Sequence, residues 1–267
     1  MKKLTVITVT YNAEKTLEGT LKSVREQTYP AIEQVVVDGR SSDGTVSLIK
    51  AYADEKTKWV SEADKGLYDA MNKAISMASG DYLCFLNAGD TFFSLDTVEK
   101  MMRSFDGERP PDILYGETAI VDDEGFFLHM RRLKAPDRLT WKSFKQGMVV
   151  CHQAFIVKRE LAEPYNLSYR FSSDFDWCIR MMKKAASIHN THLILVNYLN
   201  EGMTTTNRKV SLKERYRIMA KYYGHISTFL HHIWFVIRAV LEGKKLYTVE
   251  EAFDGLRKKE KQHCSKK

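Results

Sequence analysis

What constrains this chain most is the exchange of two hydrophobic periods over its first ninety residues. Leu4–Thr10 is an unbroken β-branched run, after which Leu17, Leu21 and Val24 recur at helical spacing. Residues 34–38 form a second apolar run, and Asp43-Gly-Thr opens a helix with Val46, Ile49 and Ala53 on one face. A short third strand covers 58–61. Leu67, Met71, Ala74, Ile75 and Ala78 then mark an amphipathic helix stopped by Gly80, and 82–86 is a fourth strand. Strands that are apolar throughout need cover on both faces, and the helices between them supply it. The pattern predicts an α/β fold with a mainly parallel sheet flanked by helices.

After Asp90 the order changes. Residues 112–121 and 126–130 read as a hairpin around Asp122-Asp-Glu-Gly125, 154–157 is another strand, and 193–198 is the last. Between those two, Phe175, Ile179, Met182 and Ala186 line a helix. From Ser211 onward the sequence is helical and cationic. The simplest partition is one catalytic-sized α/β domain over 1–205 and a basic, amphipathic helical extension over 206–267.

Open α/β sheets bind ligands outside the carboxyl ends of their strands, so the informative residues follow each run. They are Thr10, Tyr11 and Asn12, then Asp38-Gly-Arg-Ser-Ser-Asp-Gly44, then Glu62-Ala-Asp-Lys-Gly-Leu-Tyr-Asp69, then Asn87-Ala-Gly-Asp90. One acidic strand end is an ordinary turn or helix cap, but four converging ones define a site. Carboxylates so placed hold Mg²⁺ or Mn²⁺, and the cation in turn holds a diphosphate. Asp90 suits that role because Ala88-Gly89 lets a ligand approach the backbone. It equally suits a cap on the helix containing Val98 and Met101, and spacing leaves both open. No G-x-G-x-x-G follows the first strand and no P-loop is present, which argues against a dinucleotide or a P-loop triphosphate site.

The combination Val9-Thr-Tyr-Asn12, Val36-Val-Asp-Gly-Arg-Ser-Ser-Asp-Gly-Thr45, Gly66-Leu-Tyr-Asp-Ala-Met-Asn-Lys73, Gly80-Asp81 and Phe85-Leu-Asn-Ala-Gly-Asp90 resembles glycosyltransferase family 2. These are the inverting enzymes of GT-A fold (a Rossmann-like nucleotide-diphospho-sugar transferase fold) that assemble bacterial polysaccharides. The resemblance implies a nucleotide-sugar donor, commonly a UDP-hexose, and a saccharide or lipid-linked saccharide acceptor, as in lipopolysaccharide or capsule assembly. It implies that Asp38 contacts the base and Asp64 the base or ribose, with Thr10, Tyr11, Asn12, Asn72 and Lys73 also lining the donor site. Asn87-Ala88-Gly89-Asp90 takes the place of the family's D-x-D motif, with Asp90 as ligand to Mn²⁺ or Mg²⁺ and Asn87 where the first acid usually stands.

The resemblance also implies a base that removes the acceptor hydroxyl's proton. In Phe171-Ser-Ser-Asp-Phe-Asp-Trp-Cys-Ile-Arg180 that base is Asp174, with Asp176 as rival. An N-cap is the alternative reading of the same acids. His152-Gln153 matches a pair found near the acceptor or leaving group in one subgroup. Gly202, in Glu201-Gly-Met-Thr204, and Arg208 fall where a loop closes over the diphosphate. A nucleotidyltransferase and a non-catalytic nucleotide-sugar binding module are the rival functions; the first lacks a Gly-rich, basic N-terminal loop.

Composition decides less. An apolar fraction of 44% and a charged fraction of 28% are those of a globular protein, excluding a disordered or fibrous chain. Net charge is +7, with much of the excess after residue 207. A basic tail serves an anionic membrane, a nucleic acid, or nothing but solvent, and without an aromatic stacking platform no nucleic-acid partner is expected. Ile226, Phe229, Leu230, Ile233, Trp234, Ile237 and Leu241 lie at helical spacing near Lys244-Lys245. The stretch 226–245 therefore either packs on the domain or lies on a membrane. Four scattered cysteines form no C-x-x-C pair, the first strand lacks a signal-peptide cleavage site, and no window reaches about 20 apolar residues. The expected location is the cytoplasm, with the inner face of the cytoplasmic membrane as the place a docking tail would choose.

Overall fold

The computed structural model describes residues 1–105, 108–200 and 208–241. Nine strands form one sheet in the order β3-β2-β1-β4-β8-β6-β9-β5, with β7 paired to β6. Its first half is β1 (Leu4–Thr10), β2 (Ile32–Asp38), β3 (Thr57–Ser61) and β4 (Tyr82–Phe85), all parallel. Every residue of β1 and β2 is buried, as runs with no polar face require. Successive side chains alternate between two cores: Ile7, Val9, Val35, Val37, Leu83 and Phe85 on one face, and Leu4, Val6, Tyr82 and Cys84 on the other.

The helices of this half are α1 (Leu17–Arg25), α2 (Thr45–Tyr52) and α3 (Leu67–Met77). On α3 the buried residues Tyr68, Ala70, Met71 and Ala74 face the sheet. Gly80 closes the turn into β4 where nothing larger fits, because a Cβ there would lie 2.8 Å from the Thr5 backbone nitrogen.

Beyond β4 the sheet is mixed. β6 (Ile113–Val121) and β7 (Phe127–Met130) form the expected hairpin. β8 (Phe155–Lys158) runs antiparallel between β4 and β6, and β9 (Ile188–Leu199) returns parallel to β6. The two-residue β5 (Thr91–Phe92) is too short to carry a periodic signal and exists by pairing with β9. α4 (Thr97–Arg103) follows it, and α5 (Ser173–Lys184) packs Phe175, Trp177, Ile179 and Met181 into the larger core.

Two further helices follow, α6 (Arg208–Tyr223) and α7 (His225–Leu241), joined at Gly224 with φ +82°. α6 is fastened to the body. Glu214 accepts the main-chain N–H groups of Arg170 and Phe171 at 2.8 and 2.9 Å. Tyr223 stacks on Trp141 with ring centroids 5.5 Å apart. Among the described residues no helix is long and apolar enough to cross a membrane, and Cys84, Cys151 and Cys178 are buried free thiols.

Candidate active site at the strand ends

The parallel register brings the first three strand ends side by side: Thr10 pairs with Asp38, and Asp38 with Ser61. Asp38 is fully buried and accepts hydrogen bonds from the Ser61 hydroxyl at 2.6 Å, the Ser41 amide at 2.9 Å and the Ser41 hydroxyl. It therefore braces its own loop. Gly39 beside it makes room for the next strand end, since a Cβ there would stand 2.6 Å from Asp64 Oδ2 and 3.3 Å from the Tyr11 ring. Asp64 is in turn fixed by the Gly66 amide at 2.7 Å. The Tyr11 ring is largely exposed over this cluster.

The backbone is bent at the same place. Asn12 and Arg40, just past β1 and β2, have φ of +47° and +63°. Asn12 offsets part of that cost by accepting from the Ser42 amide at 2.9 Å while its own amide donates to the Ser41 hydroxyl at 2.8 Å. Left-handed non-glycine residues are uncommon and collect at functional sites. Thr10 Oγ1 is buried here without a hydrogen-bond partner. Lys73 reaches back from α3 to Glu62 at 2.8 Å and to the Ala63 carbonyl at 2.8 Å, holding the loop that carries Asp64.

At the fourth strand end Asp90 is buried. Its Oδ2 accepts from the Gln153 amide at 2.8 Å and its Oδ1 from the Leu199 amide at 3.2 Å. Burial pushes its pKa up to about 7, because these dipoles only partly replace the water a carboxylate loses. The residue that precedes α4 is Asp96, so Asp90 is not that helix's cap. Gly89, at φ +99°, turns the chain between Asn87 and Asp90. Asn87 Oδ1 is buried with no donor. An orphaned amide oxygen three residues from a buried carboxylate is an oxygen-only set of the kind a hard divalent cation takes, with phosphate oxygens completing its shell. No cluster of three or more acidic, His or Cys ligands occurs among the described residues, so these two residues would need the ligand's own oxygens.

The first turn of α5 separates the two acids that sequence left as rivals. Asp176 is 1% exposed and engaged on both oxygens: Arg180 Nε donates to one at 2.9 Å, and Tyr222 and Lys221 of α6 donate to the other at 2.9 and 3.3 Å. Asp174 is half-buried. Its Oδ1 accepts from the Tyr68 hydroxyl at 3.0 Å and from the Phe175 amide at 2.9 Å. Its Oδ2 has no donor among the described residues. Neither acid caps α5 from outside; that position is Ser172, whose hydroxyl meets Ser211 of α6 at 3.1 Å.

Between the two carboxylates lies a packed aromatic cluster. His152 is buried, with Nε2 2.7 Å from the Tyr165 hydroxyl and its ring against Phe85 at 4.8 Å. Tyr165 stacks on both Tyr68 and Trp177. The short turn His152–Ala154 thus touches Asp90 through Gln153 and reaches toward Asp174 through His152, Tyr165 and Tyr68. Asn72 belongs to this support, because both ends of its amide are taken by the Tyr165 main chain at 3.1 and 2.6 Å. Tyr68 stood in sequence only as part of a motif and Tyr165 not at all, because neither carries a signal of its hydroxyl's partner. Gly202 lies outside the described residues, and Arg208 opens α6.

A mixed α/β sheet with acidic strand ends and helices on both faces is a GT-A-like fold, and solved structures share it. TarS 1–349 of S. aureus in complex with UDP-GlcNAc superposes with a TM-score of 0.68 at 20% identity, covering 89% of this chain and 72% of that one. The mannosyltransferase PcManGT from Pyrobaculum calidifontis in complex with GDP-Man and Mn²⁺ gives 0.61 at 17% identity, covering 98% and 80%. Residues 5–165 match the model of glycosyl transferase family 2, and the chain belongs to that family. A PGL/p-HBAD biosynthesis glycosyltransferase of Mycobacterium tuberculosis is 31% identical over 204 residues, 74% of this chain and 77% of its own. The UDP-Glc:alpha-D-GlcNAc-diphosphoundecaprenol beta-1,3-glucosyltransferase WfgD of Escherichia coli is 24% identical over 254 residues, 94% and 96% of the two chains. The protein is a glycosyltransferase, which decides against the nucleotidyltransferase and the non-catalytic module.

Proposed function

We propose that this enzyme transfers a hexose with inversion from a UDP-sugar to a hydroxyl of a saccharide carried on a lipid, in surface polysaccharide assembly. The observation that carries the mechanism is the contrast between Asp174, whose Oδ1 is fixed while its Oδ2 has no donor among the described residues, and Asp176, engaged on both oxygens. Asp174 thus has a whole carboxylate oxygen to offer an incoming proton, while each oxygen of the 1% exposed Asp176 already accepts from a cationic or phenolic donor. The lipid-linked acceptor and the UDP donor are supported by the likeness to WfgD, whose name states both.

In this reading Asp38, Asp64 and Tyr11 line the base and ribose end of the donor, with Thr10, Asn12 and Lys73 shaping the loops around it. Asp90 and Asn87 would hold Mn²⁺ or Mg²⁺, which when bound offsets the charge building on the departing diphosphate. The acceptor oxygen attacks the anomeric carbon as the bond to the diphosphate oxygen breaks. Its proton passes to Asp174 Oδ2, and the nucleoside diphosphate leaves as the anion. Arg208, at the start of α6, and Gly202 are placed by sequence order at the diphosphate. His152 and Gln153 position the two carboxylates and do not touch the reacting atoms. The catalytic unit is 1–205 and the helical extension begins at 206.

Incubation with UDP-hexoses, Mn²⁺ and a GlcNAc-diphospho-lipid acceptor tests this. Acceptor-dependent UDP release should give a product of inverted anomeric configuration and fall by about 10²–10⁴-fold in Asp174→Asn. Undiminished release by that variant, or a retained configuration, would refute the assignment.

A further inference from the structure

Helix α7 is turned inside out relative to a helix that packs on a globular body. Its small and polar positions face inward: Thr228 is 0% exposed, and His231 and His232 are half-buried, their Nδ1 atoms bonded to the carbonyls of Ser227 and Thr228. Among the described side chains of the helix, Phe235 is the large apolar residue that packs against the main core. The opposite side carries Ile226, 80% exposed, and Val236, 65% exposed, together with Phe229, Leu230, Ile233 and Trp234. At about 100° per residue these spread over roughly half the helix circumference, along about 15 Å of length. Scattered apolar residues on a surface are ordinary, but one continuous stripe of this size marks a docking surface.

The charges around the stripe say what docks there. From 208 to 241 the one acidic residue is Glu214, which is buried and holds the Arg170 and Phe171 amides. At the α6–α7 turn, cations collect on aromatic rings. Lys142 and Lys183 lie over Trp141 at 5.8 and 5.3 Å, Lys145 over Tyr223 at 5.5 Å, and Lys221 over Tyr222 at 4.8 Å. Three of these four, Lys142, Lys183 and Lys221, are exposed. A second copy of the same surface would bring these cations against each other, whereas an anionic bilayer matches both the apolar stripe and the charge.

We propose that α7 lies in the surface of an anionic membrane, with Phe229, Ile233, Trp234 and Val236 among the acyl chains. The lysines around Trp141 and Tyr223 then sit at the headgroups. Because α6 binds Asp176 of the catalytic helix through Lys221 and Tyr222, such a contact fixes how the site meets the membrane. The proposal stands on the helix and its charges and holds whichever sugar is moved.

Co-sedimentation of the full chain with vesicles tests it, using phosphatidylcholine alone and phosphatidylcholine with phosphatidylglycerol. Binding to the anionic vesicles should be about tenfold or more tighter than to the neutral ones. The double variant Ile233→Glu/Val236→Glu should stay in the supernatant while keeping the thermal stability and nucleotide-sugar binding of the parent. Parent protein that stays in the supernatant with anionic vesicles overturns the proposal, as does a double variant that still pellets. A lipid-free dimer dispersed by the double variant would assign the stripe to a second copy and overturn it as well.

Discussion

The Tyr68 hydroxyl donates to Asp174 Oδ1 at 3.0 Å across a sequence separation of 106 residues, joining the helix after β3 to the first turn of α5. The bond fixes the carboxylate's rotation and leaves Oδ2 directed elsewhere. The tyrosine's own pKa is raised well above its usual value by burial and by the charge of Asp174, so it remains a donor throughout the working range. Removing the hydroxyl alone should therefore loosen the base without displacing it. Tyr68→Phe is expected to lower kcat about three- to tenfold with KM for the donor unchanged, the worth of one hydrogen bond. Steady-state kinetics check this; a loss confined to KM would place Tyr68 in donor binding instead.

The two acids of α5 should fail in different ways. Asp174→Asn removes the basicity of the carboxylate and should leave the unfolding midpoint close to that of the parent. Asp176→Asn leaves the half-buried Arg180 charge matched by Glu163 alone, and loosens α6, at a cost of about 3 kcal/mol. Chemical denaturation of both variants beside turnover checks the pairing. A stable, inactive Asp176→Asn protein would exchange the two roles.

His152 gives the fold a pH dependence with a definite sign. Burial pushes its pKa from 6.5 down to about 4, although the charge of Asp174 pulls the other way. The unfolded chain takes up a proton near pH 6.5 that the folded chain refuses until about pH 4. Stability contributed by the neutral ring is therefore present above pH 6.5 and lost as pH falls through that window, to the extent of about 3 kcal/mol. Unfolding midpoints measured from pH 7 to 4.5 should fall more steeply in the parent than in His152→Gln. Parallel slopes would mean that the ring is protonated in the folded protein.

Much of this arrangement was legible before any coordinates. The apolar runs marked β1, β2 and β4, which are buried along their whole length, although Glu33 hid the start of β2 at Ile32, and the carboxyl ends fixed where Asp38, Asp64 and Asp90 stand. What could not be read is what depends on distant partners. Asp174 and Asp176 share one helical turn, and only Tyr68, Tyr222 and Lys221 tell them apart. Asn72 belongs to a motif but spends both amide groups on Tyr165, which lies 93 residues away. Asp90's alternative as a cap fell only once α4 was seen to begin after Asp96.

Sequence left 226–245 either to pack on the domain or to lie on a membrane. Among the described residues the apolar face from Ile226 to Ile237 is turned outward, and the less periodic α6 packs through Ile218, Met219 and Glu214. Periodicity identifies a helix face without saying what covers it.

Donor binding tests the central claim most directly. Thermal unfolding should be followed with UDP-hexoses, in Mn²⁺ and in EDTA, for the parent and for Asp90→Ala. At a donor concentration a hundredfold above Kd the midpoint of the parent should rise by about 5 °C in Mn²⁺, with little rise in EDTA or in Asp90→Ala. A rise that survives both EDTA and the loss of Asp90, or none with any nucleotide sugar in the parent, would contradict a metal-assisted donor site at these strand ends.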